Sequence, residues 1–386
     1  MQQDSLFTPD TQQPVILLVD NGSRRPQALF GLRSLAANLS EIVGLKVEPV
    51  SLLHSHKIPT EAIGGEAALI VRQRLKLCAQ NNEHTVIVIP AFIGPSAAIS
   101  EYLPKVIAEE REENPALNVT ICTTLCGDDP TVPDPRLAQI LFDHVLGHTH
   151  SNSPATVAVV DHGTPIKIVN TVRNAIATQV AKLCQAHQST VNHHVIASSM
   201  ERRDGDEYAF NEPLLENLTP SKTHQKHCIA AMLFLLPGRH AGEGGDVADI
   251  CDALIADGLF EDIQISKLMS EHPLLPLILK DRLAEKYSVA PNRETRITQY
   301  LHLTRNILPQ LAQQPSNRWP VQQDHCFQRI ILDNICDGIW YASIKQPAYL
   351  HMTDAQAEHA MQLCWDICAE KVNLTELNQR SLVWRS

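Results

Sequence analysis

The chain has 386 residues, of which 44% are hydrophobic and 19% charged, a composition typical of globular proteins. The formal net charge of −11 argues against a general nucleic-acid binder, whose surface would be basic. No apolar segment reaches the roughly 20 residues that cross a bilayer, and no signal peptide is recognisable. Ten cysteines without a compact disulfide framework predict a reduced protein of the cytoplasm.

The first part of the chain alternates predicted strands and helices. Residues 1–13 are polar and predict a leader, and residues 14–150 predict a first lobe. Predicted strands cover 15–19, 47–53, 86–89 and 119–123, and predicted helices include 61–80, 97–113 and 135–146. This alternation indicates an α/β fold with a parallel sheet and helices on both faces.

The same order begins again at Thr156, so residues 151–290 predict a second lobe. Three matches at offsets of 141, 142 and 143 positions anchor the repeat: Asn21 with His162, Ala98 with His240, and Pro130 with Pro273. Three anchors at nearly one spacing indicate two tandem copies of one lobe.

Residues 291–386 lack strand-rich runs and predict a small α-helical C-terminal domain. Its predicted helices cover 294–312, 323–343 and the segment from the capping box at Thr353 to about Lys371. Cys364 and Cys368 share one helical face, but their spacing fits no strong zinc pattern. We therefore expect them to be buried as small hydrophobic residues.

Two strand ends in the second lobe carry polar chemistry. An apolar run at 233–236 predicts a strand that ends in a Pro-Gly turn before His240 and Glu243, and the strand at 157–160 ends before His162. The carboxyl ends of parallel strands meet at one edge, so we expect the two imidazoles to share a site. Two imidazoles and a carboxylate would suit Co²⁺, Fe²⁺, Ni²⁺ or Zn²⁺, and the same groups can accept protons.

The first lobe carries Asn21 and Ala98 at the two histidine positions. Asparagine is a poor ligand for transition metals and alanine is none. Two readings follow. Either the first lobe is kept for its shape, or Asn21 and Ser23, with Arg24, hold the far edge of a substrate between the lobes.

A charged loop at 201–213 also has two interpretations. It is either a plain solvated loop or a lid over the substrate. As a lid, Arg202 and Arg203 would meet substrate carboxylates with bidentate geometry. Tyr208 or Phe210 would supply a flat apolar surface.

Three motifs of the second lobe resemble those of the class II chelatases, specifically the sirohydrochlorin chelatases, which insert cobalt, iron or nickel into a tetrapyrrole. The turn at 161–164 is similar to that family's strand-one turn, 234–243 to its second signature, and 271–276 to its third. The resemblance covers roughly residues 14–290 and does not extend to the helical tail.

The resemblance implies two flavodoxin-like lobes that face each other across a cleft holding the macrocycle. It implies that His162 and His240 bind the incoming Co²⁺, Fe²⁺ or Ni²⁺ and help to remove the pyrrole protons, with Glu243 assisting. The flanking residues are assigned to substrate binding: Gly163, Thr164 and Arg239. The metal ion is then a substrate, and no organic cofactor, nucleic acid or membrane partner is expected for a monomer or homodimer.

Two other hypotheses remain. The missing first-lobe histidines are compatible with a non-catalytic carrier of metal or tetrapyrrole. A small-molecule receptor with two α/β lobes of the periplasmic type is disfavoured because no signal peptide is recognisable.

Overall fold

The computed structural model describes residues 13–148, 154–187, 193–219, 226–242 and 244–386. The predicted leader, apart from its last residue, and Glu243 lie outside these ranges. No helix in the described ranges combines the length and hydrophobicity that a membrane crossing requires.

The first sheet consists of four parallel strands. They are β1 Val15–Asp20, β2 Val47–Ser51, β3 Thr85–Pro90 and β4 Asn118–Ile121. Their order across the sheet is β2-β1-β3-β4. The central strand β1 is covered on both faces, which explains why its sequence is a continuous apolar run without alternation.

The second sheet repeats this topology. Its parallel strands are β5 Thr156–Asp161, β6 His194–Ser199, β7 His227–Met232 and β8 Asp262–Ile265. Their order is β6-β5-β7-β8, the same as in the first sheet. The prediction of two tandem parallel α/β lobes is therefore confirmed.

Helices cover the faces of both sheets. The first lobe has α1 Pro26–Val43, α2 Val71–Gln80, α3 Leu103–Glu113 and α4 Pro135–Leu146. The second has α5 Lys167–Ala186, α6 Asp246–Ala256 and α7 Leu274–Ala284. The C-terminal part has α8 Arg293–His302, α9 Leu308–Ala312, α10 Asp324–Ile335, α11 Trp340–Ser343, α12 Ala348–His351, α13 Asp354–Cys368 and α14 Leu374–Trp384.

The two lobes share one central hydrophobic core, because the last helix of each lobe packs against the sheet of the other. The first-lobe helix α4 contacts α5 and β7, whereas the second-lobe helix α7 contacts α1 and β3. Buried side chains of the C-terminal helices belong to the same core. The outer face of each sheet has its own smaller core. A continuous interior therefore fixes the position of one lobe against the other.

The C-terminal part is helical, as predicted. Its α8 packs on α1, where Gln299 Nε2 donates to the Ile42 carbonyl at 2.9 Å. Cys364 is buried, and burial raises the pKa of its thiol well above the usual value and that of Cys368 to about 12. Burial therefore favours the neutral thiols, as expected for cysteines packed as small hydrophobic residues, although Cys368 is only half-buried.

Two predicted helices are interrupted in the structure. The helix expected over 61–80 is a single turn at Thr60–Ile63 followed, after a gap, by α2. Gly64 and Gly65 have φ values of +81° and +83°, which end a right-handed helix. The helix expected over 323–343 likewise breaks after α10, where Asp337 has φ +49°.

The strand predicted at 233–236 was wrong, since β7 already ends at Met232. Its neighbour β8 ends at Ile265 and offers no ladder beyond that point. The following carbonyls, of Phe234 and Leu235, instead accept from the amides of Met269 and Ser270. The apolar run is therefore a partly buried connection that leads to the His240 loop.

A buried polar cluster joins the two lobes and the C-terminal part. His272 Nδ1 accepts from the Leu274 amide at 3.1 Å, so its Nε2 carries the hydrogen and faces Asp143 Oδ2 at 3.3 Å. Asp143 also accepts from the Ser316 amide at 3.0 Å. The neighbouring His144 is buried, and burial lowers the pKa of its imidazole to about 3.

The first prediction concerns the strand-end turn of the first lobe. An alanine Cβ at Gly22, where φ is +88°, would lie 1.8 Å from the Leu53 carbonyl oxygen. We expect Gly22→Ala to lower the free energy of unfolding by more than about 2 kcal/mol, because strain and a backbone clash add. Gly65 has φ +83° and no atom within 4 Å of a built Cβ, so Gly65→Ala should cost only about 1 kcal/mol of strain. Equal losses in urea unfolding would contradict the clash.

The second prediction concerns pH. The pKa of His144 is about 3 in the folded protein and about 6.5 when unfolded, so the unfolded chain binds more protons between these values. Stability is therefore lost as the pH falls below 6.5. We expect His144→Leu to flatten the dependence of unfolding free energy on pH between 6 and 4.5 by about 1.4 kcal/mol per pH unit. His325→Leu, at an exposed position, is the control and should leave the slope unchanged. An unchanged slope in His144→Leu would refute the prediction.

Candidate metal-binding site at the edge of the second sheet

A tight turn at the end of β5 presents His162. Gly163 has φ +91°, and a Cβ at this position would lie 1.8 Å from the Glu201 carbonyl oxygen. Only glycine permits this close approach of two backbone segments. The Gly163 amide donates to Asp161 Oδ1 at 3.1 Å, which fixes the turn from below.

The loop between β7 and α6 presents His240. The amides of Asp246 and Val247, at the start of α6, donate to the carbonyls of Arg239 and His240 at 3.2 Å. The loop is therefore folded back on the first turn of the helix. The Asp246 carboxylate accepts from His240 Nδ1 at 2.7 Å and orients the ring.

The structure brings the two predicted histidines together. The ring centroids of His162 and His240 are 4.5 Å apart, and the ring planes meet at 75°. His162 Nδ1 faces the Gly163 carbonyl at 3.1 Å, and His240 Nδ1 faces the Asp246 carboxylate. The Asp246 carboxylate can only accept, so in neutral His240 the hydrogen is on Nδ1 and Nε2 has a free lone pair for a metal ion. His162 has an acceptor at each nitrogen, the Gly163 carbonyl at Nδ1 and Glu201 at Nε2, so its neutral ring can carry the hydrogen on either one.

Glu201 stands beside this pair and was missed in the sequence. Its Oε1 lies 3.4 Å from His162 Nε2. The Glu201 amide donates to the His162 carbonyl, and in the first lobe the Leu53 amide donates to the Asn21 carbonyl. Leu53 is therefore the structural counterpart of Glu201, so the first lobe lacks this carboxylate as well as both imidazoles.

The described residues contain no group of three or more His, Cys, Asp or Glu side chains arranged to hold a metal ion. Glu243, the predicted third ligand, lies outside them. The described part of this edge therefore offers two imidazoles and one carboxylate, a set of side chains that suits Co²⁺, Fe²⁺, Ni²⁺ or Zn²⁺.

Two other residues that were predicted to bind substrate, Arg239 and Thr164, make different contacts in the structure. Arg239 is exposed, with Nε 3.5 Å from Asp246 Oδ2. The amide of Thr164 donates to the Asn211 side chain at 3.0 Å and so supports the turn.

Within the charged loop, Arg202 bonds to Glu212 and to the carbonyls of Arg203 and Gly205. The Arg203 guanidinium lies 5.9 Å from the centre of the Tyr208 ring. In this structure Arg202 therefore organises its own loop, and its guanidinium is not free for a ligand.

Asn21 lies at the edge of the first sheet, in a separate cavity of about 430 Å³ lined also by Leu53, Ala98 and Glu101. Second-lobe residues do not line this cavity among the described positions. Ser23 Oγ accepts from the Arg25 amide. Arg25 in turn donates to the Gly238 carbonyl at 3.1 Å, so the first lobe reaches the His240 loop through a residue that was not predicted.

A larger cavity of about 840 Å³ lies between α1 and the second lobe. Pro237, Gly242 and Gly244 of the His240 loop form one wall, and Phe30 of α1 forms part of another. Neither His162 nor His240 lines it. Among the described residues, the charged ones in its lining are Lys267 and Glu271.

Buried carboxyl groups end the first strand of both lobes. Burial raises the pKa of Asp20 to about 6, with hydrogen bonds from Ser51 and the Gly22 amide opposing it. Burial also raises the pKa of Asp161, but there the charge of Arg173 opposes the effect. The two turns are therefore alike in geometry and different in electrostatics.

No protein-family model and no curated protein matches the chain. Three solved structures are similar to it at low sequence identity. SirB from Bacillus subtilis with Fe³⁺ is 15% identical over 71% of this chain and 95% of that one, with a TM-score of 0.49. The sirohydrochlorin chelatase SirB from Bacillus subtilis subspecies spizizenii in complex with cobalt is 14% identical over 71% and 95%, with a TM-score of 0.48. CbiX, the terminal enzyme for biosynthesis of siroheme in denitrifying bacteria, is 14% identical over 72% and 100%, with a TM-score of 0.45.

The third prediction concerns the residue that orients His240. We expect Asp246→Ala to weaken Co²⁺ binding by about 10-fold to 100-fold, because the ring loses the acceptor that fixes its tautomer and direction. Titration calorimetry in the absence of tetrapyrrole would measure the loss. Asp249→Ala is the matched control, since it removes an exposed carboxylate from the same helix turn. Equal effects of both variants would show that only helix electrostatics is involved.

Proposed function

We propose that the chain binds a divalent metal ion, cobalt or iron, with His162 and His240 and inserts it into sirohydrochlorin or a related tetrapyrrole. The observation that carries the proposal is the pair of imidazole rings 4.5 Å apart, both with Nδ1 bonded to an oxygen acceptor. The resemblance of the 161–164 turn and the 234–243 loop to sirohydrochlorin chelatase motifs supports a tetrapyrrole as the second substrate.

An open site with two imidazoles suits transfer of an ion. Imidazole is a borderline ligand that binds Co²⁺, Fe²⁺ and Ni²⁺, and two such ligands position the ion without enclosing it. The tetrapyrrole ring offers four nitrogen atoms in one plane, so the ion gains ligands as it passes from the two imidazoles to the tetrapyrrole. A cage of four cysteines would retain the metal instead.

The same imidazoles then take up the protons. Insertion of a divalent ion releases two protons from the pyrrole nitrogens. Once the ion has moved, Nε2 of His162 and of His240 each has a lone pair that can accept one proton. The imidazolium of His240 would be stabilised by Asp246 at 2.7 Å, and that of His162 by Glu201 at 3.4 Å. We assign to Glu201 the same assisting role that the resemblance implies for Glu243.

The acidic side chains of a tetrapyrrole need positive partners on a chain of net charge −11. Arg239 and Arg25 lie on the two sides of the His240 loop, the first largely exposed and the second bonded to Gly238. We assign them, before Arg202 and Arg203, to the carboxylates of the substrate.

A carrier of metal or tetrapyrrole is the second candidate. It is favoured by the first lobe, which has Asn21, Leu53 and Ala98 where the second has His162, Glu201 and His240. A carrier would bind one equivalent of ligand and release no metallated product on repeated addition of substrate.

The fourth prediction is the turnover test. Purified protein given Co²⁺ or Fe²⁺ and sirohydrochlorin should change the absorption spectrum of the ring through many turnovers. The His162→Ala, His240→Ala double variant should lose at least about 100-fold in rate, because the ligands and proton acceptors are removed together. A double variant of two exposed histidines, His325→Ala and His351→Ala, should keep the wild-type rate. A wild-type rate in the first double variant would refute the catalytic assignment, and a single turnover would favour the carrier.

A further inference from the structure

A buried arginine lies beneath the turn that carries His162. Arg173 of α5 is 2% exposed. Its Nη1 donates to Ser199 Oγ at 2.5 Å and to the Asn211 carbonyl at 3.1 Å, and lies 3.6 Å from Asp161 Oδ1. A buried guanidinium is costly unless such partners surround it, so the arrangement is specific.

The partners of Arg173 close the base of the loop at 200–210. Ser199 precedes this loop, and its Oγ donates to Asp161 Oδ1 at 2.6 Å. Asn211 follows the loop, and its side chain accepts from the Thr164 amide at 3.0 Å and donates to the Thr164 carbonyl at 2.9 Å. The Arg173 side chain, through Ser199 and Asn211, therefore ties the two ends of this loop to each other and to the turn of His162.

The first lobe shows which of these parts the fold itself needs. The strand-end aspartate and the serine at the end of the second strand occur in both lobes, as Asp20 with Ser51 and as Asp161 with Ser199. The arginine does not recur. The equivalent position of the first lobe, 141 residues before Arg173, is the buried Leu32.

The next residue of α1, Arg33, donates instead to the carbonyls of Ile63 and Glu66 in the loop after β2. The buried guanidinium at the strand-end turn therefore occurs in the lobe that has the two imidazoles, and the lobe without them forms the same fold without it.

We propose that Arg173 is a positioning residue for metal binding at His162 and His240. It acts through Ser199 and Asn211, which hold the turn of His162 and the start of the loop that carries Glu201 at a fixed separation. The inference rests on the proposed function and adds a buried residue that does not contact the ion.

The test compares three variants in Co²⁺ titrations without tetrapyrrole. Arg173→Leu introduces the first-lobe residue, Arg173→Lys keeps one charge without the fork, and Arg74→Leu removes another buried arginine that bonds to Glu48 and Glu83 in the first lobe. We expect Arg173→Leu to weaken Co²⁺ binding at least tenfold and Arg173→Lys to recover part of the loss. Arg74→Leu should stay within twofold of the wild type although its melting temperature falls.

Unchanged affinity in Arg173→Leu would overturn the proposal. So would an equal loss of affinity in Arg74→Leu at the same melting temperature, because the effect would then be general destabilisation. If Arg173→Leu does not fold, Asn211→Ala serves in its place, since it removes the bonds to Thr164 and leaves Arg173. It should weaken Co²⁺ binding at least threefold, and wild-type affinity would count against the proposal.

Limited trypsin digestion separates this inference from the proposed function. Arg202 and Arg203 are trypsin cleavage sites inside the loop at 200–210. Loss of the Arg173 bonds in Arg173→Leu should therefore speed cleavage there at least fivefold relative to Arg74→Leu. If the wild type binds no Co²⁺, the proposed function fails. The cleavage rates would still test whether Arg173 holds the loop, because unchanged cleavage in Arg173→Leu would contradict that role.

Discussion

The exchange of helices between the two sheets is the constraint on which the architecture depends. Helix α4 leaves the first lobe to cover β7, and α7 leaves the second to cover β3. Helices α1 and α5 cover part of the inner face of their own sheets, and the helix from the other lobe covers more of it. The C-terminal helices seal the remaining side of this interior. The orientation of the lobes is therefore a result of core packing.

This rigid frame gives the second sheet edge its geometry. β5 and β7 are adjacent and parallel, so the turns that follow them meet at one edge. The turn after β5 is fixed by the contact between Gly163 and the Glu201 carbonyl. The loop after β7 is held by α6 on one side and by Arg25 of the first lobe on the other. The strand order brings two imidazoles that are far apart in sequence to one edge, and these loop contacts hold them next to each other.

The sequence predicts what depends on local pattern and on strand order. Continuous apolar runs identify the central strands, the repeat identifies the second lobe, and parallel pairing implies that His162 and His240 are neighbours. Contacts made by loops are a different matter. Glu201 and Asp246 reach the histidines through backbone turns whose path has no periodicity, so their contacts with His162 and His240 could not be predicted from the sequence.

The errors have local causes of the same kind. The run at 233–236 is as apolar as a strand, but its neighbour β8 ends too early to pair with it. The helical pattern at 61–80 continues through Gly64 and Gly65, although their left-handed backbone interrupts the helix. Hydrophobic pattern thus identifies burial better than it identifies the hydrogen-bonding partner.

The reciprocal exchange of α4 and α7 is the arrangement that two identical lobes would form as a symmetric pair. In such a pair every substitution appears twice, so neither edge can lose its imidazoles alone. Joining the lobes in one polypeptide removes this restriction. One copy can then carry the imidazoles alone, as the edge at His162 does and the edge at Asn21 does not. The first lobe here contributes Phe30 to the lining of the larger cavity and Arg25 to the His240 loop.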